Sequence, residues 1–188
     1  MEALQEWMQS TPINSLILNF AWSWPTLESL HFLALCTLMG SLLIMDLRLI
    51  GFSSVIPLKA VHSLMPVALV SFAINLITGL GFLFGEPYLY FPNWAFWAKM
   101  ILILLAGINF LFYYTKIEPM LAKLGPNDPA PFAVVFVGML SLVFWFGVLS
   151  FGRLLPYLGT GGGVAAQPTS ASSADASAAR ASPSLKRA

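Results

Sequence analysis

Four apolar stretches leave this chain little choice of solvent: Leu27 to Ile50, Leu58 to Phe84, Trp94 to Thr115 and Phe132 to Leu155. Each meets or exceeds the ~20 helical residues needed to cross about 30 Å of hydrocarbon. In lipid no water satisfies a backbone N–H or C=O, so a lone span must close its hydrogen bonds within itself, as an α-helix does. The composition agrees, with 58% hydrophobic and 9% charged residues over 188 positions and a mean hydropathy of +0.80. The connections "GFSSVIP", "GEPYLYFPN" and "IEPMLAKLGPNDPAP" carry the Gly, Pro, Asn and Asp that end helices. They are short enough to make neighbouring helices antiparallel. The expected fold is all-α: a polytopic, antiparallel four-transmembrane-helix bundle.

Residues 1–24 and 159–188 flank this 25–158 membrane domain. Within the first region, Thr11 as a cap and Pro12 as a first helical residue predict a helix over Thr11 to Trp22, too short to span and lying on the membrane surface; a re-entrant or fifth span is the alternative. Glu2 and Glu6 stand where a secretory signal would place basic residues, so no cleaved peptide is expected. From Gly159 the chain is rich in Gly, Ala and Ser without an apolar period, the composition of a disordered tail. The single Cys36 excludes an internal disulfide. A net charge of +1 with no dense basic run argues against nucleic acid as a partner.

Basic residues near span ends set orientation. Arg48 and Lys59 flank the first connection and Lys116 and Lys123 the third, whereas the second has only Lys99 at its edge. Both termini are therefore expected on the non-cytoplasmic side, with Arg153 as the nearby exception.

The first span carries Glu28, His31, Asp46 and Arg48. At about 100° per residue, Glu28 and Asp46 point the same way and His31 lies about 60° from both, a stripe expected to face the bundle. Against lipid, an acidic or basic side chain at mid-bilayer would cost about 2.5–3.5 kcal/mol. On the third span Lys99, Leu102, Ala106, Asn109 and Tyr113 recur at helical seam spacing. Two polar clusters are thus expected: Glu28, His31 and Lys99 at one membrane face, and Asp46, Arg48, Lys59 and His62 at the other. The plainer readings are interfacial snorkelling for Glu28, Lys59 and Lys99, and interhelical hydrogen bonding for Asn75 and Asn109. Gly40, Ser41, Gly79, Gly138 and Ser141 read as small residues that let helices approach.

Two intramembrane histidines raise the question of haem b, whose iron takes axial imidazoles. His31 and His62 begin helices of opposite direction, so their depths differ by roughly 20 Å at 1.5 Å per residue and one chain cannot clamp one haem between them. Met65, three residues beyond His62, is a weaker candidate ligand, and a His/Met copper site is chemically reasonable. Pro66 removes the donor for the His62 carbonyl. Either a helix runs through both and leaves that carbonyl free, or the span starts near Pro66.

The runs "LESLHFLALCTLMGSLLIMDLRLIG" and "AVHSLMP" resemble an uncharacterised bacterial family of small four-helix inner-membrane proteins, over roughly Pro25 to Leu155. The similarity implies a location in the bacterial inner membrane and an architecture, not a reaction. More loosely, the chain is similar to copper-resistance-D-type membrane proteins and small b-type cytochromes, which imply redox or metal handling.

No nucleophile with an adjacent base and no nucleotide motif is present, so autonomous enzymatic chemistry is not expected. Three readings stand: a redox or metal-handling subunit using His31 and His62; a transporter-like protein whose polar stripe of Glu28, Asp46, Arg48, Asn75, Lys99 and Asn109 lines a path; and a structural subunit, as a homo-oligomer or among other membrane proteins.

Overall fold

A computed structural model describes residues 2–52, 58–121 and 131–158. Two short helices, α1 (Glu2–Gln9) and α2 (Pro12–Asn19), precede the first long one, α3 (Ser23–Ile50). Then come α4 (Leu58–Gly85), a single turn α5 (Pro87–Tyr90) and α6 (Trp94–Phe112). A π-helical turn (Tyr113–Ile117) joins α6 to α7 (Glu118–Leu121), and α8 (Phe132–Leu158) completes the described chain. No strand occurs among the described residues. The expectations for Lys123, for the Lys59 side chain and for the tail fall outside the described residues.

Four helices are long and apolar enough to cross a membrane: Ser23–Ile50, His62–Gly85, Trp94–Leu121 and Phe132–Leu158. Their outward faces carry large apolar side chains such as Leu33, Ile77, Leu104 and Val143, all exposed. A water-soluble protein does not present apolar surface on this scale, and lipid is the solvent that accepts it.

The third span is longer than the sequence predicts, continuing through the π-turn to Leu121. The widened turn falls where Pro119, lacking an N–H, removes the ordinary donor for the Thr115 carbonyl. It leaves both Tyr113 and Ile117 buried. The alternatives at Pro66 also resolve: α4 runs unbroken from Leu58 to Gly85 with Pro66 inside it. His62 is therefore helical, and its carbonyl has no N–H at Pro66 to accept from.

α3 is the centre of the bundle, packed along α4 on one side and α8 on another, while α6 packs on α8. Between α4 and α6 there is no extended contact among the described residues. The buried positions Ala34, Leu38, Ser41, Met45 and Leu49 make the inward seam of α3 at steps of three and four. α8 meets it closely at Gly138, where an added Cβ would lie 3.2 Å from the Asp46 carbonyl oxygen and 3.1 Å from Leu49 Cβ. A left-handed turn at Gly51 (φ 91°) ends α3.

α1, α2 and α5 gather at one end of the bundle, where α3 starts and α4 stops; this is the capped end. Thr11 does cap α2, with Pro12 at its first turn. Two asparagines then tie the cap to the spans. Asn14 Nδ2 donates to the carbonyls of Phe84 and Gly85 at 2.7 and 3.1 Å. Asn93 Oδ1 accepts from Ala95 N–H at 3.0 Å while its Nδ2 donates to the Leu155 carbonyl at 2.8 Å. The last carbonyls of a helix have no partner in the helix itself, and these side chains supply one for α4 and α8.

Candidate functional site

Three contacts fix the register of α3 against α4: Leu27 on Gly81, Trp24 on Gly85, and His31 Nδ1 at 2.8 Å from Thr78 Oγ1. Carried down the antiparallel pair, this register sets Leu38 level with Ser71 and Asp46 level with Ser63. The Thr78 hydroxyl also donates to the Ile74 carbonyl at 2.8 Å. With its proton there, the hydroxyl accepts from His31 Nδ1–H, and Nε2 is left as an acceptor. Phe82 packs edge-on against the imidazole, with ring centroids 5.4 Å apart.

Thr78, Asn75 and Ser71 follow at steps of three and four on one face of α4, all buried. Asn75 Nδ2 donates to the Ser71 carbonyl at 3.0 Å, while its buried Oδ1 has no hydrogen-bond partner among the described residues. Ser41 on α3, then Ser141 on α8 beside Asp46, extend the series to the carboxyl. At 1.5 Å per residue the series spans about 22 Å from His31 to Asp46, and no step in depth exceeds about 8 Å.

Asp46 is only 4% exposed. It lines a cavity of about 150 Å³ to which all four long helices contribute, in the half of the bundle away from the cap. The other polar walls are Asn109, Tyr113 and Ser141; the rest is aliphatic or aromatic, including Phe72, Phe110 and Trp145. Asp46 Oδ2, shielded from solvent, has no hydrogen-bond partner among the described residues. Such a lone pair normally finds a donor, because an uncompensated buried charge is expensive. Asn109 Nδ2 is committed to the Val137 carbonyl at 3.1 Å and so fastens α6 to α8. At one end of the cavity Leu49, Tyr113, Ile117, Val134 and Val137 form a core cluster, of which Leu49, Tyr113 and Val137 also line the cavity.

Lys99 lies within electrostatic range of His31, and the other predicted residues are dispersed. Glu28 is exposed and accepts from Trp24 Nε1 at 3.2 Å. Its stripe does not stay in the interface, because a packed seam repeats every 3.5 residues and a straight helix drifts about 20° per heptad; Glu28 and Asp46 share a side of α3 but are offset by about 50° relative to its neighbours. Glu28 instead joins Glu86 near Tyr90, whose phenol is pushed up to about 12, first by burial and then by those two carboxylates. Lys99 lies along Gly152 of α8, 3.5 Å from where a Cβ would stand. Arg48 is half-buried two residues beyond Asp46. His62 Nδ1 is 3.5 Å from Glu118 Oε1, both partly exposed. Met65 packs against the core cluster and lines the cavity.

The imidazoles are thus far apart. Sixteen residues of α4 separate His62 from Thr78, the neighbour of His31, which is about 24 Å along the helix. Among the described residues no three His, Cys, Asp or Glu side chains converge on a point.

Sequence reasoning missed the two cap asparagines, Asn14 and Asn93, and the role of Ser71 and Thr78. Asn93 had a legible signal, since an asparagine just before an apolar run is a helix N-cap.

These features define a class, the small polytopic helical membrane protein with a polar interior. A family model matches residues 20–158, and the chain belongs to that family, described as a family of unknown function (DUF6644). No curated protein and no solved structure matches it.

Proposed function

We propose that the protein is a transporter of the bacterial inner membrane whose polar interior conducts protons, without enzymatic chemistry of its own. The observation that carries this reading is the buried polar series from His31 to Asp46, which ends at a carboxyl with a free oxygen in an intramembrane cavity. Ionisable groups inside a bilayer are rare because they are costly, and they mark proton relays and substrate paths. Hydroxyls and an amide stepped by no more than about 8 Å in depth are within the span of intervening waters, which would complete a relay. In this mechanism His31 exchanges protons at the capped end, the Thr78–Asn75–Ser71–Ser41 series passes them inward, and Asp46 holds either a proton or the solute. The redox reading draws less support, because the two histidines have separate surroundings at opposite ends of α4.

In proteoliposomes loaded with a pH-sensitive dye, with the potential clamped by valinomycin, the wild-type protein is expected to dissipate an imposed proton gradient at least tenfold faster than Asp46→Asn. Equal rates would overturn the reading, as would a Soret band in the purified protein.

The orientation belongs to the same proposal: the capped end faces away from the cytoplasm, because Arg48 and Lys116 lie toward the other end. With Cys36 replaced by alanine and a cysteine placed at the exposed Ser10, an impermeant maleimide is expected to label spheroplasts from outside. Labelling only after lysis would reverse the orientation.

A further inference from the structure

We infer that the Asp46 cavity takes a small monovalent organic ammonium ion, with Asp46 Oδ2 as its counter-ion and the surrounding aromatic rings as its walls; this rests on reading the cavity as the solute chamber. Three observations select that class.

The first is charge. Asp46 brings one carboxylate, 4% exposed, with one oxygen unpartnered among the described residues. An anion is repelled, and a neutral solute offers at most a hydrogen bond to that oxygen, whereas a cation also balances its charge. The second is the donor set. With no second carboxylate or imidazole on the walls, a divalent ion would lose its hydration shell without the six or more oxygens that replace it. The third is the wall itself. Phe72, Phe110, Tyr113 and Trp145 all border the cavity, and aromatic faces attract an ammonium whose substituents are apolar. A cavity of about 150 Å³ is the size that accommodates benzene, which sets the scale of the ligand. The neutral amine in equilibrium with such an ion partitions into lipid, and on the side of the cavity between α4 and α6 those two helices make no extended contact among the described residues.

The test is binding in detergent, which needs no transport. Benzylammonium is titrated into the full-length protein by isothermal calorimetry with Trp145 fluorescence as a second readout, and benzyl alcohol serves as its neutral isostere. Benzylammonium is expected to saturate and to bind at least tenfold more tightly than benzyl alcohol, with that preference lost in Asp46→Asn. Ala106→Leu, which fills the cavity and keeps the carboxyl, is expected to abolish saturable binding of both. Equal binding of the two probes by wild type, or undiminished benzylammonium binding by either variant, would overturn the inference. Saturable, Asp46-dependent binding supports it whether or not the proteoliposomes move protons, so the transport reading and this one fail separately.

Discussion

Gly138→Leu is expected to separate α8 from α3 and to lower the thermal midpoint in detergent well below that of Gly40→Leu. The reason is what an added side chain meets. A Cβ at position 138 would stand 3.1 Å from Leu49 Cβ, 3.2 Å from the Asp46 carbonyl oxygen and 3.3 Å from Ile50 Cγ1. The carbonyl and the Cβ are fixed to the backbone and cannot swing aside, so a leucine forces the helices apart. Overpacking costs about 1–3 kcal/mol even where neighbours adjust, and this site belongs at or above the top of that range. Gly40→Leu is the matched control, because nothing lies within 4 Å of a Cβ there. It should be neutral or stabilising by up to about 1 kcal/mol through helix propensity. Unfolding followed by size-exclusion chromatography and differential scanning fluorimetry distinguishes them; similar midpoints for the two variants would mean that α8 does not approach α3 at Gly138.

Asp46→Leu is expected to act in the opposite direction on stability and to abolish proton movement. The carboxyl shares its cavity with Leu38, Leu42, Met45 and Leu49, stands beside Ser141, and keeps one oxygen unpartnered among the described residues. A leucine removes a polar group that the site satisfies only in part, and its larger side chain has the adjoining cavity to fill. On membrane transfer scales the exchange favours leucine by about 3–4 kcal/mol at mid-bilayer, and Asp46 lies off-centre, so a gain of about 1–3 kcal/mol is expected. The sign is the discriminating feature. A structural anchor loses stability when replaced, whereas a group retained for its chemistry is a liability to the fold. A lower midpoint for Asp46→Leu than for wild type would make Asp46 a structural residue.

The spans were legible because lipid imposes one requirement on every residue of a segment: an apolar run of sufficient length reads as a helix from any starting register. Side-chain placement obeys finer rules. Asp46 was recognised as a polar residue facing inward, and it does; Glu28, assigned to the same stripe, is exposed, because rotation about one helix axis says nothing of how that helix winds around its neighbours. Ser141 reads in the sequence as a small residue that permits close approach, yet it also stands beside the carboxyl, and sequence spacing within α8 holds no information about α3. The link between His62 and Glu118 was hidden for a different reason. Glu118 sits in a segment rich in helix-ending residues, and only the widened turn at Tyr113 carries the helix far enough to bring it opposite α4.

The asparagines at the capped end give the bundle lopsided stiffness. Asn14 and Asn93 each bolt a helix terminus in place through largely buried side-chain-to-backbone bonds, whereas the other half combines greasy contact with the Asn109 bond to the Val137 carbonyl and a partly wetted imidazole–carboxylate pair. Contacts of the greasy kind slide at little cost in a solvent of hydrocarbon; directional bonds do not. The rods are therefore bolted at their ends on one side only, and the hollow lies in the half where a directional bond ties α6 to α8 part-way along.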